Sequence, residues 1–213
     1  MNANQYRWCE LLIVFFGLPL LAYQFRNNLS NWLLPALIVL MAICAFLLLT
    51  DPHFKRFRLT TLGTFSVVKH RLFTSFLIGA LFSGMLYGLI NQDNWFSLPR
   101  QSPVDWLRLL IVYPLLSVLP QELIFRSYFF HRYKRIIPAK SHRIVLSALV
   151  FALAHCVYDN LVAIGLSFLG GLLFAYTYAN SRSLFVCVLE HSLWGLWIFT
   201  LGLGTYLDSG AKW

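Results

Sequence analysis

A chain of 213 residues of which 59% are hydrophobic and only 12% charged does not fit a water-soluble domain, where roughly 45–50% apolar and about 25% charged residues are usual. One aqueous core of this size would leave the apolar excess exposed, so lipid is the solvent for much of the surface. A net charge of +9 would point a soluble protein toward nucleic acid, but here its placement along the chain gives it another meaning.

Spanning a hydrocarbon core takes about 20 residues of helix at a rise of 1.5 Å each. Stretches of that kind run over Trp8–Phe25, Asn31–Thr50, Leu72–Ile90, Trp106–Phe130, Ile144–Asp159, Leu161–Ala179 and Leu184–Leu203. They are continuously apolar, without the period-2 alternation of barrel strands, so the expected fold class is all-α, a polytopic transmembrane helical bundle of about seven helices. Pro19 and the lack of a small-x-small cleavage site make the first stretch a retained span, not a signal peptide. Pro35, Pro114 and Pro120 are expected as kinks, and Asp159-Asn160 as a tight polar turn. With no linker-like stretch and no internal repeat, residues 1–213 are expected to form a single membrane domain. Cys9, Cys44, Cys156 and Cys187 lie in or beside apolar segments without close pairing and read as small apolar residues.

Seven spans divide the basic residues unequally. With the N-terminus cytoplasmic, that side holds Arg7, Lys55, Arg56, Arg58, Lys69, Arg71, Arg132, Lys134, Arg135, Lys140, Arg143 and Arg182. The other side holds Arg26, Arg100, Arg108 and Lys212, and Arg126 falls inside a helix. The bias gives an N-in, C-out molecule. A bacterial cytoplasmic membrane is the expected location. The excess charge then meets anionic lipid headgroups on the cytoplasmic loops, and no nucleic-acid partner is expected.

Ionisable groups in hydrocarbon are costly and mark function by default. The fourth segment carries Gln121, Glu122 and Arg126, the fifth His155, and the seventh Glu190 and His191. Counted from the cytoplasmic ends of their helices, Glu122, His155 and His191 lie roughly 12, 17 and 11 Å deep. Glu122 and Arg126 share a helical face and can pair, and Phe151 puts an aromatic ring on the face that presents His155. Glu190 points away from His191 and is left open as support for the site, partner to another helix, or structural. His53, His70, His131 and His142 sit in loops or helix ends and are given no special role.

A glutamate and two histidines facing a wet cavity can deprotonate water and protonate a leaving amine, which is peptide hydrolysis without a covalent intermediate. Zinc held by Glu122, His155 and His191 is the alternative; no HExxH spacing favours it, and no cofactor is expected. A catalytically inactive membrane scaffold holding a partner's segment is the main competing function. A proton-coupled transporter is the weaker one, since the outer halves of the helices carry no matching polar residues.

The stretches Gln121-Glu122-Leu123-Ile124-Phe125-Arg126, Phe151-Ala152-Leu153-Ala154-His155 and His191-Ser192-Leu193-Trp194-Gly195 are similar to three signatures of one family. In their order, spacing and placement in consecutive apolar segments over approximately 106–199, they resemble the intramembrane glutamic peptidases related to the CAAX-processing enzyme Rce1, also called CPBP or Abi. The resemblance implies an Rce1-like helical bundle that cleaves hydrophobic or membrane-anchored peptides at a cavity open to the cytoplasm. It also implies Glu122 as general base, Arg126 as its support, His155 aligning water and His191 stabilising the oxyanion. Two positions depart from the family's pattern. Gln121 stands where the family has the first glutamate of a pair, leaving Glu122 as base, and Gly195 stands where it has an asparagine, so a second oxyanion donor has to come from elsewhere.

Overall fold

The computed structural model describes residues 2–62 and 65–207. They form seven helices long and apolar enough to cross a bilayer: α1 Ala3–Gln24, α2 Arg26–Thr50, α3 Phe65–Ile90, α4 Pro103–Arg132, α5 Lys140–Tyr158, α6 Leu161–Ser181 and α7 Leu184–Leu201. Among the described residues there is no β-strand, and the fold is the all-α polytopic bundle that the apolar runs predict.

The ends differ from expectation where polar residues continue a helix. α3 begins at Phe65, not Leu72, so Lys69, His70 and Arg71 are helical and not in a loop. α5 begins at Lys140 and closes in a 3-10 turn over His155–Tyr158. α7 stops at Leu201 because Gly202 takes a left-handed φ of 103°. Lys212, counted on the outer side, lies outside the described residues.

Proline shapes the helices by widening them. A proline cannot donate to the carbonyl four residues back and its ring crowds that group. Before Pro19 and Pro120 the chain runs as π-helix, over Ile13–Gly17 and Tyr113–Val118, and the helix continues past each proline. A second π stretch, Leu123–Tyr128, follows in α4, with every residue of it buried. Pro35 is harmless in the first turn after the 3-10 segment Ser30–Trp32.

α1, α2 and α3 turn large apolar side chains outward, among them Leu21, Phe46, Ile78, Phe82 and Leu89, while α4 to α7 supply the interior. α5 and α6 approach closely where small residues meet: a Cβ at Gly171 would lie 3.0 Å from the Ala148 Cα. Phe15 of α1 sets its ring edge-on to Phe125 and Phe129 of α4, at 5.7 and 5.2 Å.

Polar clamps join the helix ends. At one end, the Glu10 carboxylate of α1 accepts hydrogen bonds from Tyr128 (2.7 Å), Tyr133 (3.0 Å) and the Arg132 guanidinium. At the other end of α1, Tyr23 and, from the first residue of α2, Arg26 donate to Asp159 beyond α5, at 3.0 and 2.7 Å. α1 therefore meets the end of α4 and the end of α5 at its opposite ends, as alternating spans require. Asp159 is left-handed, with φ 55°, and Asn160 caps α6 by accepting from the Ala163 amide at 2.7 Å, which is the expected polar turn. His131, given no role from sequence, is 2.8 Å from Asp51 and sets its ring edge against Phe54, fastening α4 to the segment after α2. The His131 hydrogen bond, followed by that of the His53 amide, holds the Asp51 carboxyl down at about 2.

Candidate active site

α4 brings Glu122 to the junction of its two π-helical stretches, where the side chain has no exposed surface. Burial of a carboxylate demands a counter-charge. Arg126 supplies it, with Nε 3.2 Å from Glu122 Oε2. The guanidinium is fixed in turn: Nη1 donates to the Ser147 hydroxyl of α5 at 3.0 Å, and that hydroxyl donates to the Phe125 carbonyl at 2.8 Å. Its plane also lies 4.7 Å from the Phe151 ring and 5.8 Å from that of Phe174.

α7 brings His191 to the other carboxylate oxygen, with Nδ1 2.9 Å from Glu122 Oε1. An ionised carboxylate only accepts, so Nδ1 carries the hydrogen, and Nε2 is an acceptor when the ring carries that one proton. Phe174 stacks on the imidazole at 4.4 Å with 16° between planes, and Phe151 meets it edge-on at 5.7 Å. Nε2 faces the hydroxyl of Tyr113, from the start of the first α4 π stretch, at 3.3 Å. Glu122 and His191, expected at nearly one depth, are thus in direct contact.

His155 joins the group through Phe151. Its Nδ1 donates to the Phe151 carbonyl at 2.8 Å and its ring lies 4.5 Å from the phenyl ring, which leaves Nε2 as an acceptor. Phe151 therefore touches Arg126, His155 and His191 together. Glu122 is sealed, whereas His155 and Tyr113 are half-buried.

The other singled-out residues take different places. Gln121 donates from Nε2 to the Ser117 hydroxyl at 2.9 Å, one turn back along α4. Glu190 is fully buried and pairs with Arg71 of α3 at 2.7 Å, and the same guanidinium nitrogen donates to Thr177 of α6. Glu190 thus has a partner on another helix, and Arg71, counted among the basic residues before the third span, is a helix–helix tie.

Among the described residues no three His, Cys, Asp or Glu side chains gather as metal ligands. The reason lies in orientation: the Glu122 oxygens are turned onto Arg126 and onto the N–H of His191, and Nδ1 of His155 is turned onto a carbonyl.

Two features escaped the sequence reading. Glu10 is an ionisable residue inside an apolar span and satisfies the same cost criterion that singled out Glu122. Tyr113 carried no such signal, because tyrosine is common at membrane interfaces, and only the space at Gly195 explains its approach.

Residues 103–197 match the family model described as type II CAAX prenyl endopeptidase, Rce1-like. No curated protein and no solved structure gives a significant match. The matched region, just under half of the chain, spans α4 to most of α7, the helices that carry Glu122, Arg126, His155 and His191, and over it the chain is similar to the Rce1-like family.

Proposed function

We propose that the chain is an intramembrane endopeptidase that hydrolyses a peptide bond of a hydrophobic or membrane-anchored polypeptide with water activated at the Glu122–His191 pair. The observation that carries the reading is the 2.9 Å contact between Glu122 Oε1 and His191 Nδ1, which fixes the tautomer and leaves Nε2 as a proton acceptor. In this reading Nε2 takes the proton of the attacking water, and buried Glu122 stabilises the imidazolium that forms. Arg126 holds Glu122 in place. His155, whose Nε2 also accepts, aligns the water through its second hydrogen. Protonated His191 then delivers its proton to the leaving nitrogen.

Such a site suits a substrate already in the membrane, since its half-buried edge lies within the spans. The positive-inside distribution supports an N-terminus in the cytoplasm, with the basic loops on anionic headgroups. The match of residues 103–197 to the Rce1-like family model supports peptidase chemistry as the class of reaction.

The test is cleavage of fluorescence-quenched hydrophobic peptides by the purified chain in detergent. Activity that disappears in Glu122→Gln and survives exhaustive chelation is expected; equal cleavage by wild type and Glu122→Gln removes the reading. The complete burial of Glu122 favours one second reading, an inactive scaffold that holds a partner's transmembrane segment. That reading requires Glu122→Gln to retain the cellular function of the wild type.

A further inference from the structure

Gly195 is buried on α7 one turn after His191, and a Cβ built on it would fall 2.1 Å from the Tyr113 hydroxyl oxygen and 2.5 Å from Cε1 and Cζ of the same ring. No side chain at 195 coexists with that ring where it stands. The tyrosine reaches from α4 into the volume that a residue at 195 would fill, and its hydroxyl stops 3.3 Å from Nε2 of His191. Edge contacts to Phe199 at 5.2 Å and to His191 at 6.2 Å fix the plane of the ring. At 3.3 Å the hydroxyl is far for an O–H···N bond, so its hydrogen turns to a better acceptor by rotation about the C–O bond alone. Tyr113 is also only part-buried, whereas Glu122 is sealed.

Resting on the peptidase reading above, we propose that Tyr113 is a catalytic residue: its hydroxyl holds the substrate carbonyl oxygen as it becomes an oxyanion, and Gly195 is the space that admits it. When the water oxygen bonds to the carbonyl carbon, one water proton passes to His191 Nε2. The carbonyl π pair moves onto oxygen and is received by the Tyr113 O–H. On collapse that pair re-forms the carbonyl, the C–N bond breaks, and the proton on Nε2 goes to the departing nitrogen. Tyr113 keeps its own proton throughout, so a neutral donor does this work and no further charge enters the bilayer. The position left without a donor by Gly195 is thereby filled from a different helix.

The experiment compares kcat, KM and melting midpoint for the wild type, Glu122→Gln, Tyr113→Phe, Gly195→Ala, and Tyr113→Ala with and without Gly195→Asn, on quenched hydrophobic peptides in detergent. Phenylalanine fills the same volume, so Tyr113→Phe is expected to lower kcat by about 10²–10³-fold with KM and melting unchanged. Gly195→Ala pushes the ring off Nε2 and is expected to lower kcat similarly with Tyr113 still present. Tyr113→Ala/Gly195→Asn, which returns a donor from α7, is expected to recover about tenfold or more over Tyr113→Ala. Wild-type kcat in Tyr113→Phe alongside an inert Glu122→Gln overturns the role of Tyr113 and leaves the peptidase reading standing. Equal cleavage by wild type and Glu122→Gln overturns that reading, and the role of Tyr113 with it.

Discussion

Glu122 Oε1 and His191 Nδ1, on α4 and α7, stand 2.9 Å apart with no exposed surface on the carboxylate. The contact joins two helices separated by 69 positions in sequence, and it is where electrostatics and proton placement meet. Glu122→Gln keeps an oxygen for Nδ1 but removes the charge that stabilises an imidazolium. It also leaves Arg126 buried without its counter-charge. We expect kcat to fall by about 10³-fold or more. Stability should fall too, by about 3–5 kcal/mol, the range for removing one partner of a buried ion pair. Kinetics and thermal melting in the same detergent measure both. A variant that melts early yet keeps its kcat would make the pair structural only.

Gln121 gives the opposite expectation. Its amide donates to Ser117 and not into the Glu122 cluster. In Gln121→Glu the Ser117 hydroxyl can turn and donate to the new carboxylate, so one neutral contact is exchanged for a charge-assisted one. Turnover should stay within about tenfold of wild type, because a single hydrogen bond is worth about 1 kcal/mol net. A hundredfold loss, or a comparable gain, would mean that position 121 takes part in the chemistry.

The Arg71–Glu190 pair is a tie between α3 and α7, 2.7 Å long with Glu190 fully buried and the arginine side chain 28% exposed. That partial exposure weakens the Coulomb term through solvent screening. We therefore expect Arg71→Met and Glu190→Gln each to destabilise by about 1–3 kcal/mol, below the range for fully buried pairs. A double-mutant cycle should show coupling, with the pair of changes costing less than the sum of the two. Additive losses would show that the ionic contact contributes nothing of its own.

The spans were legible because hydrocarbon imposes one constraint on every residue within it, so the seven helices follow from apolar runs alone. Their ends were less so. Arg71 reads as a headgroup residue by charge, and only its distant partner Glu190 makes it helical and inward-facing. At the site, the cost of ionisable groups in lipid singled out Glu122, Arg126 and His191, which the fold brings into contact. The tautomers of His191 and His155 were out of reach, since each depends on an acceptor, Glu122 Oε1 or the Phe151 carbonyl, that only folding or local geometry supplies. The Tyr113 contact was out of reach for a different reason. A glycine in a helix announces missing volume, but which side chain fills it is set by the packing of α4 against α7.

Asp51 gives the pH dependence. Its carboxyl is held at about 2, below the ordinary 3.8, chiefly by the hydrogen bond from His131 and next by the His53 amide. A carboxyl whose value is depressed on folding contributes stability that is complete above the unfolded value and lost as pH falls through the folded one. The contribution of Asp51 should therefore be constant above pH 3.8 and decline between 3.8 and about 2. Asp51→Asn cannot titrate there, so the gap in melting midpoint between it and the wild type should narrow through that acid window. Subtracting the variant cancels the titration of the other carboxylates, which both chains share. A gap that stays constant down to the acid end of the window would show that the Asp51–His131 contact does not form in the folded protein.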